Sequence, residues 1–291
     1  MAVTSLGLAR ISLTSANADL LASFYENGLG FVQTGRVRVD ATGYGIAGTE
    51  ALVITLALGE QLIELVQFDQ PGLPYPTTNT SYDPWFQHIA IVVTDIAAAL
   101  LRLNQQAQPI PISLHGPVTM PAASGGITAI KLRDPEMHPF ELLQYPAGGI
   151  PSQWNGLVPQ NGFAIGIDHF GIVISNPASS IAFYAGLGLA VSSSSLNQGT
   201  EQQSLDAAAG AVVEVIGMSP SQATPHVNLL CYSTPMAAAA ITVAANDIAA
   251  TRQVLRVDGP PATQGPLIDP DGHRLLLVGV RGWGYPDGGL T

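Results

Sequence analysis

The sequence predicts an α+β fold assembled from four related strand–helix–strand–strand–strand units. Two repeated patterns and one compositional feature carry that prediction. The first pattern is a strand that runs into a helix cap: ARISLTSANADL from Ala9, FQHIAIVVTDI over 86–96, DHFGIVISNPAS from Asp168 and AAITVAANDIAA from Ala239. Each apolar stretch ends in Asn or Asp, whose side-chain oxygen accepts from a backbone N–H that the first helical turn leaves unpaired. The offset is seven residues in all four, from Arg10 to Asn17, His88 to Asp95, His169 to Asn176 and Ala240 to Asp247. One such junction is ordinary; four in register mark an internal repeat. The second pattern is a helix end, FYENGLGF in the first unit and FYAGLGL in the third. The compositional feature is 11% charged and 47% hydrophobic residues with 31 Gly and 22 Pro, which suits compact, turn-rich structure and argues against disorder.

In the first unit, residues 11–14 read as strand. Asn17 caps a helix in which Leu20, Leu21, Phe24 and Tyr25 recur at helical spacing, and Gly28 or Gly30 ends it. Strands follow over 31–39, 51–58 and 61–68, with Gly59-Glu60 as a turn. The second unit has its strand from His88, a helix over 96–104, a loop rich in Pro and Gly, and strands over 127–132 and 139–145 around an Asp134-Pro135 turn. The third unit opens at His169, caps its helix with Asn176 and Pro177, and ends in a strand over 225–232. The fourth, taken from Ala239, is shortened before Asp269-Pro270 and a last strand over 274–280.

A formal charge of −11 disfavours nucleic acid and anionic membranes as partners. The single cysteine, Cys231, excludes an intrachain disulfide and suits a reducing cytosol, and the N-terminus lacks the basic and apolar regions of a signal peptide. Apolar runs such as 236–245 are too short to span a bilayer. The expectation is a cytoplasmic protein, monomer or homodimer, that meets a small molecule.

Four such units, helices reading LASFYENGLGF and IAFYAGLGL, and DPxxH turns ending at His138 and His273 resemble the vicinal oxygen chelate superfamily. That superfamily includes glyoxalase I, extradiol dioxygenases, methylmalonyl-CoA epimerase, and bleomycin and fosfomycin resistance proteins. The resemblance runs from about Ala9 to Val280. It implies four βαβββ modules paired into two cup-shaped mixed β-sheets: units one and two in residues 1–148, a linker over 149–164, and units three and four in 165–291. It also implies a metal in the cup, held at the start of each unit's first strand and at one position in its last strand. Those positions are Arg10, Glu64, His88 and Glu141 in the first pair, and His169, Asn228, Ala240 and Leu276 in the second.

Within the chain, IELVQF and FELLQY superpose Glu64 on Glu141. Carboxylates in apolar strands are costly to bury unless something cationic meets them. Arg10 has no lone pair and cannot be a ligand. Two readings follow. In one, Glu64, His88 and Glu141 hold Zn, Ni, Mn or Fe, one carboxylate shuttles a proton on a carbonyl or enediolate substrate, and Arg10 stabilises negative charge. In the other, Arg10 replaces the metal by pairing with a carboxylate, and the cup binds a small molecule walled by Phe68, Trp85 and Tyr145. An extradiol dioxygenase, the third reading, needs two histidines and a carboxylate, which neither pair supplies at the matching positions. The second cup, with His169 and Asn228, reads as degenerate.

Of the other histidines, His138 and His273 sit in turns and read as structural, while His115 lies in a loop, LHGPVTMPAASGG, placed to cover the first cup. No nucleotide-binding loop, and so no nucleotide cofactor, is expected: GLGF and GLGL are helix ends. Cys231 lies in an apolar strand and reads as packing.

Overall fold

The computed structural model describes residues 5–221, 225–236, 242–258 and 265–279. Unit one comprises β1 (Ser5–Thr14), α1 (Ala18–Phe24) continued by a π-helical turn (Tyr25–Leu29), β2 (Val32–Asp40), β3 (Glu50–Leu58) and β4 (Gln61–Phe68). Unit two comprises β5 (Gln87–Val93), α2 (Ile96–Gln106), the short β6 (Ile110–Pro111) and β7 (Val118–Thr119), β8 (Thr128–Arg133) and β9 (Pro139–Gln144). Unit three has β10 (Ala164–Val173), α3 (Pro177–Gly186), β11 (Ala190–Gln198), α4 (Thr200–Asp206), β12 (Val212–Ser219) and β13 (His226–Thr234). Unit four has β14 (Arg252–Val257), β15 (Leu267–Ile268) and β16 (Arg274–Gly279).

Three of the four caps do what their chemistry predicts. Asn17 accepts from the Leu20 N–H, Asp95 from Ala98 and Asn176 from Ala178 and Ser179. Asp247 instead closes a turn, accepting from the backbone of Ala244 and Leu73. Asp83 makes the equivalent turn with the Thr80 N–H, five residues before His88; Arg252 lies five residues after Asp247. Unit four therefore opens at Arg252 rather than Ala239, and the expected ligand position Ala240 lies outside the described residues. An Asp that accepts from nearby backbone serves a turn as well as a helix, so cap chemistry alone could not separate the two.

The strand order corrects the expected pairing of units. One sheet runs β15-β16-β14-β1-β4-β3-β2, joining units one and four; the other runs β11-β12-β13-β10-β5-β9-β8-β6, joining three and two. The joins are antiparallel: Arg10 is opposite Val254 in β1/β14, and Gly171 is opposite His88 in β10/β5. Residues 149–164 thus connect two strands of one sheet, and a division there cuts through that sheet. The repeat fixes each unit's interior order, but its first strand has one open edge that any other unit's first strand can meet.

Both sheets turn one face toward a shared core in which the helices lie. Leu21, Phe24 and Tyr25 of unit one, Leu103 of α2 and Tyr184 of α3 pack there with Ile63, Ile89, Phe140 and Phe170. The DPxxH turns tie the layers together. Asp134 accepts from the Tyr25 phenol at 3.0 Å and pairs with His138 Nδ1 at 2.9 Å, while His138 Nε2 donates to the Thr14 carbonyl at 3.0 Å. Asp269 accepts from Tyr184 at 3.2 Å, and His273 Nε2 donates to the Val173 carbonyl at 2.6 Å. Both turn histidines are structural. The opposite faces of the sheets form the cups.

Candidate metal centre

Strand register brings three donors onto one face of the second sheet. Ala90 at the centre of β5 is paired on one side with Glu141 of β9 and on the other with His169 of β10. His88, two residues earlier, shares the face of Ala90, because side chains alternate along a strand. Glu141 Oε2 lies 3.2 Å from His88 Nε2 and 3.9 Å from His169 Nε2. One donor atom from each of the three residues falls within 4.8 Å of the others. All three are buried, at 2% (His88), 5% (Glu141) and 8% (His169) exposure. Asn228, facing Gly171 from β13, completes the set of four positions on this sheet.

Gly171 makes room for His88. A Cβ there would stand 2.1 Å from His88 Cε1, inside the ring's own space. Among the described residues neither ring nitrogen of His88 has a hydrogen-bond partner, since the 3.2 Å approach to Glu141 is not aligned as a hydrogen bond. Buried polar atoms almost always have partners, and lone pairs converging on a common point are what a metal ligand set presents. His169 is oriented from behind: its Nδ1 donates to Asp168 Oδ2 at 2.9 Å, which leaves the Nε2 lone pair turned toward Glu141. Asp168 is itself held by the Tyr145 phenol at 3.0 Å and the Trp154 indole N–H at 3.1 Å.

The charges suit the same purpose. Burial pushes His88 down to about 4, so its imidazole is neutral at pH 7. Burial opposes ionisation of Glu141, but the polar edge of the His88 ring 3.2 Å away and the positive charge of Lys131 hold it at about 2. Asp168 is likewise held at about 2 against its burial by His169. Two neutral imidazoles and one carboxylate with positions left over fit a first-row divalent ion. A second group of possible ligands, Asp168, His169 and His226, shares His169 with this one.

The equivalent face of the first sheet is built differently. Arg10 Nε donates to Glu64 Oε2 at 2.5 Å, and Glu64 Oε1 accepts from the Tyr44 phenol at 3.2 Å. Arg252 occupies the place of His88 and is fully buried, donating to Thr14 Oγ1 and to the carbonyls of Ala250 and Ala245. Its guanidinium stands over the rings of Tyr44 and Phe68 at 5.4 and 5.5 Å. Leu276 is the fourth position. Guanidinium groups stand where ligands would, so this cup carries a charge pair in place of a metal set.

The expected ligand trio of Glu64, His88 and Glu141 is therefore not brought together: Glu64 and Arg10 belong to the other sheet. His169 and Asn228, assigned above to a degenerate cup, join His88 and Glu141. Of the expected substrate-binding residues, Tyr145 stands behind His169. Phe68 packs against Tyr44 in the first sheet, and Trp85 packs with Tyr75, Ile248 and Ala249. His115 is exposed, and its loop lies against α4 through the Leu114 N–H and the Ser204 carbonyl at 2.8 Å. Asp168, Gly171 and Arg252 were missed. Arg252 was within reach of the repeat through its spacing from Asp247.

The profile of the Glyoxalase/Bleomycin resistance protein/Dioxygenase superfamily matches residues 7–142. Those residues are similar to that superfamily. They span units one and two and so contribute to both sheets. The whole chain has its fold. It is similar to glyoxalase I from Zea mays, at 12% identity and a TM-score of 0.55, covering 94% of this chain and 92% of that one. A single-residue variant of the Zea mays enzyme gives 11% and 0.57, covering 96% and 94%. A candidate dioxygenase from Bacillus subtilis gives 12% and 0.50, covering 89% and 72%. No curated protein sequence matches the chain. Among the described residues no helix is long and apolar enough to cross a membrane.

Proposed function

We propose that the chain is a divalent-metal enzyme of this superfamily, with His88, Glu141 and His169 as ligands and a small oxygen-bearing molecule as substrate. The convergence of two imidazole nitrogens and one carboxylate oxygen in a buried cup carries this reading. A divalent ion held there would polarise substrate oxygens and, as iron, give access to dioxygen.

The two-histidine, one-carboxylate composition favours oxygenation of a catechol-like or enediolate substrate. The lyase or isomerase chemistry expected from the sequence relied on two carboxylates, one of them free to carry a proton. With Glu64 in the other sheet, the position related to it is Asn228, whose amide is no base. The residues present bind and orient: Asp168 fixes the His169 tautomer, Gly171 admits the His88 ring, and burial keeps the three donors largely out of bulk water. The metal-free reading expected Arg10 to pair with a carboxylate in place of a metal, and its pair with Glu64 fits that reading for the first sheet; it does not extend to His88, Glu141 and His169, which stand on the other sheet.

Anaerobic titration with Fe²⁺, Mn²⁺, Ni²⁺ and Zn²⁺, followed by oxygen uptake with catechols, tests the proposal. One ion per chain is expected, lost in His88→Ala and His169→Ala and retained in Glu64→Gln. No binding of any ion, or binding that survives loss of His169, would overturn it. Binding without oxygen uptake would return the chemistry to proton transfer.

A further inference from the structure

A lysine is out of place in this cup. Lys131 of β8 is paired directly with Glu141 of β9, so its side chain leaves the sheet on the ligand face. It is buried, and its ammonium meets Asp206 Oδ1 at 2.6 Å. Asp206 Oδ2 accepts from the Tyr232 phenol at 2.7 Å and from Gln202 Nε2 at 2.6 Å. Around this pair stand Phe86, with Lys131 Nζ 5.7 Å from its ring centre, and an apolar group of Val213, Leu230 and Tyr232.

Asp206 does not come from the sheet. It is the last residue of α4, which is inserted between the second and third strands of unit three. That helix begins at Gly199 (φ 95°) with no side-chain cap and ends at Ala207, a non-glycine residue in the left-handed region (φ 53°). Its polar anchors to unit two include the Ser113 hydroxyl on the Leu205 carbonyl at 2.7 Å and paired contacts between Ser204 and Leu114, and the Leu205 side chain packs in an apolar cluster with Met120, Ala129 and Leu143. A fully buried ion pair contributes little net stability compared with apolar residues of the same volume. Here one partner is fixed on the ligand-bearing sheet, and the other arrives on a seven-residue helix with a glycine at one end and a left-handed turn at the other.

We propose that Lys131 and Tyr232 form the subsite for an anionic oxygen group of the substrate, a carboxylate on an apolar or aromatic frame. Asp206 is the internal carboxylate that fills this subsite when no substrate is present. The substrate displaces Asp206, α4 moves outward, and the substrate's anion takes over the bonds from Lys131 and Tyr232 beside the ligands. The assignment rests on the metal reading for its role in turnover, but the subsite itself is made of protein groups alone.

Calorimetric titration of the Zn²⁺-loaded and metal-free protein with benzoate, benzamide and benzylamine tests it. Benzoate is expected to bind about tenfold or more tightly than its neutral isostere benzamide, since a charge-assisted contact is lost. Benzylamine should not bind. Asp206→Asn should tighten benzoate binding by removing the competing carboxylate. The double variant Lys131→Met/Asp206→Leu, which replaces the ion pair by apolar volume and so guards against misfolding, should bind benzoate no better than benzamide. Equal binding of the two by the wild type, no binding of either, or benzoate preference surviving in the double variant would overturn the subsite. Metal binding without benzoate preference would sink this inference alone; benzoate preference in a protein that binds none of the four ions would sink the metal reading alone.

Discussion

His88 and His169, 81 positions apart in the chain, face each other with ring centroids 5.5 Å apart and planes at 83°. They come from units two and three, and both approach the same oxygen of Glu141, at 3.2 and 3.9 Å. Everything proposed for the centre depends on those two strands being adjacent.

In the proposed centre of His88, Glu141 and His169, Asp168 acts through His169, whose Nδ1 it holds. Asp168→Asn keeps the volume but withdraws the carboxylate that fixes the imidazole tautomer. Metal affinity is expected to fall about 10- to 100-fold with the fold intact, as for other partners behind a metal-bound histidine. Titration followed by isothermal calorimetry reads the change; an unaltered affinity would mean that His169 is not a ligand.

Gly171→Ala adds one methyl where there is no space. The new Cβ would lie 2.1 Å from His88 Cε1 and 2.6 Å from Nδ1, so the ring must leave its place. A stability loss of about 1–3 kcal/mol is expected from overpacking. Metal binding should weaken at the same time, which denaturation and titration of one preparation would show together.

Arg10→Met separates the two cups. It leaves Glu64, fully buried, without its guanidinium partner, and breaking such a pair costs about 3–5 kcal/mol. The metal stoichiometry of the folded fraction should stay as in the wild type. A variant that is stable but has lost its metal would place Arg10 in the centre after all.

The metal-free protein should weaken in acid. His88 and His226 are both pushed down to about 4 from an ordinary 6.5, in each case first by burial. Between pH 6.5 and 4 the unfolded chain binds protons at these rings that the folded chain refuses, so stability falls as pH falls. The loss is on the order of 3 kcal/mol for each ring by pH 4. His138 has the opposite sign: burial opposes its charge, but Asp134 raises its pKa. Its contribution is complete below 6.5 and fades only as pH rises through the raised value, outside this window. Urea titrations at pH 7 and pH 5 give the slope, and His226→Gln should reduce it by about half; a flat profile would contradict the assignment.

Much of this was legible in the residues. The seven-residue spacing located the strand starts of three units, and the match of IELVQF to FELLQY placed Glu64 and Glu141 at equivalent positions. Asn17, Asp95 and Asn176 cap helices as their chemistry requires. What the spacing could not carry was the partner of each unit's first strand. Arg10 opposite Val254 and His88 opposite Gly171 are contacts between edges that look alike in sequence, and choosing the wrong edges split the ligand set in two. The fourth unit failed for a different reason. Asp247 offers the same oxygen to backbone N–H groups in a turn as it would at a helix start, and only the five-residue echo from Asp83 to His88 would have redirected the count to Arg252. Lys131 drew no notice because a lone lysine in a strand ordinarily points to water.

The nesting of the units, with two and three between one and four, also sets an order of events during synthesis. The sheet bearing His88, Glu141 and His169 needs nothing beyond β13, which ends at Thr234. The other sheet cannot close until β14 pairs with β1, joining Arg10 to Val254 across most of the chain. Contacts that distant form slowly, whereas nearer ones can form while the ribosome is still at work. A nascent chain can therefore own a complete ligand cup before its N-terminal unit has found a partner. Until then β1 presents a bare edge, and the final segment serves to cover it.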